Sequence, residues 1–337
     1  MGKLNFALIG AGRIGRVHAQ NLSWRIPEVN LLAVMDSSLE AAARCATDFQ
    51  IPSFGSNLNE ILDDRSIDVV VICSATPSHP NLIIKAAKAG KHIFCEKPIA
   101  LALNQVDEAM SIVFEQRVKF QVGFNRRFDP SFHEAHELIG AGKIGEPQLI
   151  KISSRDPHPP SPDYVKASGG IFLDMTVHDF DMARFLLDEE VEEIHAIGSV
   201  LIDPDIGKAG DLDTAIVLLR YTNGAIGTID NSRRAVYGYD QRVEIFGSEG
   251  QIVVGNQVAH QAVYSNTKGV HSALPLYFFL ERYQDSYVAE IRSFIDSVTK
   301  DAVPRVSGND GRRALVMGLA AWESYKSRQP VCPDYEQ

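Results

Sequence analysis

Asp174, His178 and Asp181 are spaced by four and then three residues in the stretch Gly169-Gly170-Ile171-Phe172-Leu173-Asp174-Met175-Thr176-Val177-His178-Asp179-Phe180-Asp181. A helix starting near Phe172 would place all three on one stripe, with Met175, Met182 and Leu186 on the side that packs. Histidine titrates near neutral pH, and a neighbouring carboxylate fixes its tautomer and orientation, so this set suits acid–base chemistry. The same residue types would also suit a solvated helix face, or ligation of a divalent ion. No further Cys or His spacing supports a metal, and none is expected.

A second candidate is Lys97, in Cys95-Glu96-Lys97-Pro98 at the end of an apolar run. Oxidation of a secondary alcohol removes a hydride from carbon and a proton from oxygen. A base within hydrogen-bond reach takes the proton, and an adjacent ammonium stabilises the developing alkoxide. His178 and Lys97 could supply that pair, provided that a cofactor takes the hydride. On its own, a lysine at this position reads equally as a surface residue of a turn.

A site for such a cofactor is legible near the N-terminus. Gly10-Ala11-Gly12-Arg13-Ile14-Gly15 fits G-x-G-x-x-G between a strand and a helix. The first glycine allows a tight turn, the second lets backbone approach a pyrophosphate, and the third lets the helix pack on the strand. The helix N-terminus offers its free N–H groups to the phosphates. Asp36 closes the second apolar run, where a carboxylate reaches ribose hydroxyls and repels a 2′-phosphate. Ser37 and Ser38 follow without an arginine, which favours NAD over NADP, although Asp36 could instead cap the next helix. Ser74, Ala75, Thr76 and His79 follow the third strand and, with Glu96 and Lys97, are expected on the nicotinamide side, because ligands bind outside the carboxyl ends of such strands.

The elements that must position these residues fall into two kinds. Up to about residue 123, strand-like runs (Leu4–Ile9, Leu31–Met35, Val69–Cys73, His92–Cys95, Lys119–Val122) alternate with helical stretches. This predicts βαβ units and a doubly wound parallel sheet. From 124 onward, helices at Ser131–Ile139 and Phe172–Leu187 precede strand-like runs at 191–201, 214–221, 225–233, 241–247 and 251–254, with helices again at Tyr283–Thr299 and Gly311–Ser327. Asn223-Gly224 signals a hairpin and Gly247–Gly250 a turn. The second domain, 124–337, is therefore predicted α+β with a large, mostly antiparallel open sheet, and the tight join near 122–125 predicts a cleft.

Bulk properties agree with a soluble enzyme. A chain of 337 residues with 45% hydrophobic and 23% charged residues suits two globular domains. The net charge of -10 argues against nucleic acid or an anionic membrane as a partner. The apolar runs are too short for a signal peptide or a membrane span, and the four cysteines lack CxxC spacing, so a cytoplasmic setting with buried thiols at Cys73 and Cys95 is expected.

Four motifs taken in order, namely the glycine loop, Glu96-Lys97-Pro98, Gly123-Phe124-Asn125-Arg126-Arg127-Phe128-Asp129 and Gly169-Gly170…Asp174…His178-Asp179, resemble the Gfo/Idh/MocA oxidoreductase family, and within it the members that oxidise inositols. The resemblance spans nearly the whole chain. It implies an N-terminal Rossmann domain, a C-terminal sheet domain, and a homotetramer assembled through that sheet. It implies oxidation of a ring hydroxyl of a cyclic polyol by NAD, with myo-inositol ahead of other inositols and pyranoses. Lys97 would contact substrate and nicotinamide, His178 would be the general acid/base, and Asp181 would complete the catalytic set. Asp174 would bind ring hydroxyls, Arg127 would approach the substrate or cofactor edge, and Tyr237 would close the pocket, with Tyr239 competing for that place. Arg155-Asp156-Pro157-His158 matches the family's variable substrate loop only loosely and is unusually rich in proline, with Pro159, Pro160 and Pro162 following. Two rival readings on the same fold are a regulator that has lost catalysis and a hydrolase that uses NAD transiently.

Overall fold

The computed structural model describes residues 2–336, the side chain of Pro162 excepted. The chain forms two compact units. One runs to Asn125 and takes in Asp285–Leu315; the other holds Arg126–Gln284 and the chain from Val316 onward.

The first unit carries six parallel strands: β1 (Leu4–Ile9), β2 (Val29–Met35), β3 (Ser53–Gly55), β4 (Val69–Ile72), β5 (His92–Glu96) and β6 (Phe120–Gly123). Their order is β3-β2-β1-β4-β5-β6, the arrangement of a Rossmann sheet. Val69–Ile72 is buried throughout, as expected of a strand covered on both faces. The order reverses between β1 and β4, so the carboxyl ends of these two strands flank the crevice where such sheets bind ligands.

The second unit is built on β7 (Pro147–Arg155), β8 (Val191–Ser199), β9 (Thr214–Tyr221), β10 (Ile226–Ser232), β11 (Asp240–Gly247) and β12 (Gln251–Val254), in the order β12-β11-β7-β10-β9-β8. Every pairing is antiparallel except β7 with β10. The predicted mostly antiparallel sheet is thus present. Gly224, at φ +88°, turns β9 into β10 as the Asn-Gly pair predicted. Strict alternation along β9 buries Ala215, Val217, Leu219 and Tyr221 and exposes Ile216, Leu218 and Arg220. The buried face packs on the helix Thr176–Leu187, which lies against β7 and β10.

Several features depart from the sequence reading. The domain assignment 124–337 is corrected: Asp285–Leu315 belongs with the first unit, because Val288, Ile291, Phe294 and Ile295 form an apolar stripe in the same core as Phe6, Leu8 and Phe94. Strand β7, central in its sheet, went unpredicted, because Lys151, Ser153 and Ser154 break its apolar run. A small hairpin, β13 (Val263–Asn266) with β14 (Gly269–Ser272), was also unpredicted.

Candidate active site

On the first unit, the glycine loop joins β1 to the helix Arg13–Gln20. Gly10 has φ +103°, and a Cβ there would lie 2.6 Å from the backbone of Cys73 and Ser74, so only glycine fits. A Cβ at Gly15 would collide with the Gly10 carbonyl oxygen. Gly12 differs: a Cβ there would meet nothing within 4 Å, so this stretch of backbone is open on one side. The helix starts there without a side-chain cap or an acidic residue in its first turn, and Arg13 is exposed beside it. These N–H groups, an open backbone and a positive helix end fit a pyrophosphate. Ile14 is partly buried against the core.

Asp36 stands at the end of β2 and grips the loop. Its Oδ2 accepts from the Ala11 amide at 2.7 Å, and its Oδ1 accepts from the Ser38 amide at 2.8 Å. Ser38 itself caps the following helix through Ala41, so Asp36 is not the helix cap. Across the crevice, Ser74 and Ser78 share a hydroxyl hydrogen bond of 2.7 Å, and Ala75 and Thr76 are accessible. His79 is enclosed. Its ring nitrogens lie 2.9 Å from the carbonyl oxygens of Pro98 and Ser74, so it ties the end of β5 to the end of β4. Burial lowers its affinity for a proton. Glu96 is likewise turned inward, onto His18. Lys97 follows, joined to Pro98 by a cis peptide bond. Between Ile93 and Ala100, Lys97 alone is not buried.

On the second unit, the expected single helix is two. Gly170–Asp174 and Thr176–Leu187 break at Met175. Gly170, at φ +79°, leaves room for the Asp211 carboxylate, which accepts from the Ile171 amide at 2.8 Å. From Gly170 to Ala183 only His178 is not buried, and the Asp174 side chain keeps 10% of its surface accessible.

Its neighbours are held rigidly. Asp174 accepts from the Tyr164 hydroxyl at 2.9 Å and from Arg233 Nη1 at 3.1 Å. Asp179 is fully buried, accepts from Arg126 at 2.5 Å and from Asn231 Nδ2 at 2.8 Å, and Asn231 also meets Thr176. Burial raises the Asp179 carboxyl above its ordinary range, opposed by the Arg126 guanidinium. Asp181 is gripped by both Nε and Nη2 of Arg127, at 2.9 and 2.6 Å. Tyr237 is exposed on one side and donates to Asp240 at 2.6 Å while accepting from Arg155, whereas Tyr239 is buried near Arg126.

The sequence reading singled out Asp174, His178, Asp181 and Arg127 but missed Arg126, Asn231, Arg233 and Tyr164 as their supports. Arg126 stood inside a quoted motif without a role. Asn231 and Arg233 lie more than fifty residues from their partners, and nothing in local spacing links them.

Residues 4–124 match the model described as an oxidoreductase family with an NAD-binding Rossmann fold, and 132–253 match the Gfo/Idh/MocA C-terminal domain. The chain belongs to the Gfo/Idh/MocA oxidoreductase family. It is 47% identical to myo-inositol 2-dehydrogenase of Thermotoga maritima, over 97% of this chain and 98% of that one. Among solved structures, it resembles a scyllo-inositol dehydrogenase from Lactobacillus casei with bound NAD(H) and scyllo-inositol (28% identity, TM-score 0.92, 98% and 99% of the two chains covered). It also resembles a myo-inositol dehydrogenase from the same organism in complex with NAD(H) and myo-inositol (26% identity, TM-score 0.88, 99% and 100% covered).

Proposed function

We propose that this oxidoreductase uses NAD to oxidise a secondary ring hydroxyl of a cyclic polyol, with myo-inositol the leading substrate and 2-keto-myo-inositol (scyllo-inosose) its product. The observation that carries the reading is that His178 alone is only half-buried in an otherwise buried run, with Asp174 and Asp181 fixed on either side of it. Lys97, singled out in the same way at the end of β5, is its counterpart on the first unit.

NAD, when bound, accepts the hydride. Gly10 to Gly15 and Asp36 would hold it by its pyrophosphate and ribose, with Ser74, Ala75 and Thr76 on the nicotinamide side. Glu96 and His79 shape that side from behind, since both are turned into the protein. His178 takes the proton of the reacting hydroxyl, and the Lys97 ammonium stabilises the alkoxide that forms. The Asp174 carboxylate, held by Arg233 and Tyr164, binds a neighbouring ring hydroxyl. Arg127, expected at the substrate or cofactor edge, and Asp181, expected to complete the catalytic set, grip one another and act instead as a strut under the His178 helix, and Tyr237 closes the pocket.

The open face of the second sheet, with Leu149, Ile216, Leu218, Ile226 and Phe246 exposed, supports a homotetramer. The acidic charge disfavours nucleic acid as a partner. No helix of the described residues is long and apolar enough to cross a membrane. The cysteines are free, and three of them are buried, which supports a reducing, cytoplasmic setting.

The test is a set of initial rates with NAD and NADP against myo-, scyllo- and chiro-inositol and glucose. Turnover is expected with NAD and an inositol. Lys97→Ala and His178→Ala should each lower kcat by about 10²- to 10⁴-fold while NAD still binds. Full turnover in His178→Ala would remove the base from this mechanism.

A further inference from the structure

Behind the crevice, the first unit encloses a group that the proposed chemistry does not use. His18 lies on the helix that begins at the glycine loop, Glu96 at the end of β5, and Glu290 on the helix Gln284–Thr299. Each offers one donor atom, and the three atoms, all on buried residues, lie within 4.8 Å of one another. His18 Nε2 donates to Glu96 Oε1 at 2.7 Å. Neither carboxylate oxygen of Glu290 accepts a hydrogen bond from any N–H or O–H donor among the described residues, although the residue is 0% exposed.

Two negative carboxylates cannot sit this close in an apolar core without a compensating charge. The cost of burying even one ionised carboxylate is met by protonation in preference to bare charge. No lysine or arginine hydrogen bonds or ion-pairs with Glu96 or Glu290 among the described residues. The surroundings are His18 and the rings of Phe94 and Tyr287 packed on it, the thiols of Cys73 and Cys95, and Gln121, whose Nε2 donates to the Glu290 backbone carbonyl at 3.0 Å.

Room for the arrangement is built in. A Cβ on Gly123, which pairs with Glu96 across β5 and β6, would come within 3.0 Å of the Glu96 carboxylate. The Glu96 head group therefore occupies the space that a side chain at 123 would fill.

We propose that Glu290 is a carboxylic acid at neutral pH that donates its proton to Glu96, so that His18, Glu96 and Glu290 form a proton-sharing strut that positions Lys97. The strut joins the helix of the glycine loop to the residue immediately before Lys97. It thereby fixes where the ammonium stands relative to the phosphate-binding loop. The positioning role rests on the dehydrogenase reading of Lys97; the protonation of Glu290 does not. Burial first, and then the Glu96 charge, push the Glu290 carboxyl well above the ordinary carboxylate range, in the same direction.

A divalent ion is the alternative occupant of the same donors. Ligands on a tetrahedral ion with bonds of about 2.1 Å stand about 3.4 Å apart. The His18–Glu96 separation of 2.7 Å is instead the length of a hydrogen bond.

The experiment compares the native protein with Glu290→Gln, which keeps the shape and a donor but cannot ionise, and Glu290→Leu, which keeps neither. Infrared spectra at pH 7 should show a buried carboxylic-acid carbonyl band in the native protein that Glu290→Gln lacks. A group whose folded pKa is raised loses its stabilising contribution as pH rises above the unfolded value of about 4.3. The thermal midpoint of Glu290→Gln should therefore gain on the native one steadily between pH 5 and 8. With an inositol and NAD, Glu290→Gln should retain kcat within about threefold and hold it to higher pH than the native enzyme, whereas Glu290→Leu should lose tenfold or more with NAD affinity little changed. The proposal is overturned if the infrared band is absent or survives in Glu290→Gln, if Gln is as damaging as Leu, or if the purified protein carries a stoichiometric divalent metal that Glu290→Gln releases. If no polyol is oxidised, the dehydrogenase reading fails, and the infrared and melting results still decide the state of Glu290.

Discussion

Arg127 holds Asp181 through two parallel hydrogen bonds, Nε to Oδ2 and Nη2 to Oδ1, with the Asp181 side chain only 1% exposed. The fork geometry matches a carboxylate in a way that an ammonium cannot. Removing one member of such a pair leaves a buried charge unpaired, at a cost of about 3–5 kcal/mol. Arg127→Ala should therefore lower the melting temperature by about 5–15 °C, and Arg127→Lys should recover only part of it. A substrate-contacting arginine would behave otherwise, raising KM for the polyol while the melting curve stayed in place. Calorimetry beside polyol KM separates the two roles.

Asp36 links cofactor choice to loop shape. Its Oδ1 accepts from the Ser38 amide and the Ser37 hydroxyl, while its Oδ2 accepts only from the Ala11 amide and keeps a lone pair for a ribose hydroxyl. A hydrogen bond to a charged group contributes about 1.5–3 kcal/mol. Asp36→Ala should thus raise the NAD dissociation constant by about 10- to 100-fold. The preference for NAD over NADP should shrink further, because the repulsion of a 2′-phosphate goes with the carboxylate. Titration with both dinucleotides measures this, and an unchanged ratio would assign the discrimination elsewhere.

How much of this could be read beforehand follows from the range of the signals involved. The glycine loop, Asp36 and the Asn223-Gly224 hairpin are local devices, in which turn geometry is set within a few residues, and the structure has them where spacing put them. Lys97 and His178 were likewise visible, one at a strand end and one on a polar stripe. The supports were not. Arg233 reaches Asp174 across 59 positions, and Glu290 stands near Glu96 only because the chain returns to the first unit at Asp285. The break at Met175 escaped for a different reason: residues 172–187 carry a continuous helical pattern, and only the packing of Thr176 on Asn231 and of Gly170 on Asp211 divides them.

His79 supplies a pH dependence with a definite sign. It is buried between the carbonyl oxygens of Ser74 and Pro98, and burial depresses its pKa below the ordinary value. The folded protein therefore binds a proton less readily than the unfolded chain, whose histidine titrates near 6.5. The stability His79 contributes is complete above that value and is lost as pH falls through it, at no more than about 1.4 kcal/mol per pH unit. Between pH 7 and 5.5, the urea midpoint of the native protein should fall relative to that of His79→Gln, whose side chain does not titrate. Parallel midpoints over that interval would mean that the buried imidazole keeps its proton.

The outer face of the second sheet is the place to test assembly. Register sets Leu149 on β7 beside Ile226 on β10 and Phe246 on β11, and sets Ile197 on β8 beside Ile216 on β9. All five residues keep about half or more of their surface exposed. Charged residues interleave with them, since Arg220 pairs with Ile226 and Asp230 with Ile216; exposed apolar groups on one sheet face still suit an interface, and a face that matches itself under a two-fold axis closes into a symmetric oligomer. Leu149→Glu places a charge at the middle of the patch, on a side chain that contributes little to the fold of the single chain, so the monomer should keep its circular dichroism and melt within a few degrees of the native protein. Its mass by light scattering should drop from that of a tetramer to that of a dimer or monomer, and Phe246→Glu should do the same. If both variants keep the native mass, the proposed assembly through this face is wrong, and the open sheet face needs a different explanation.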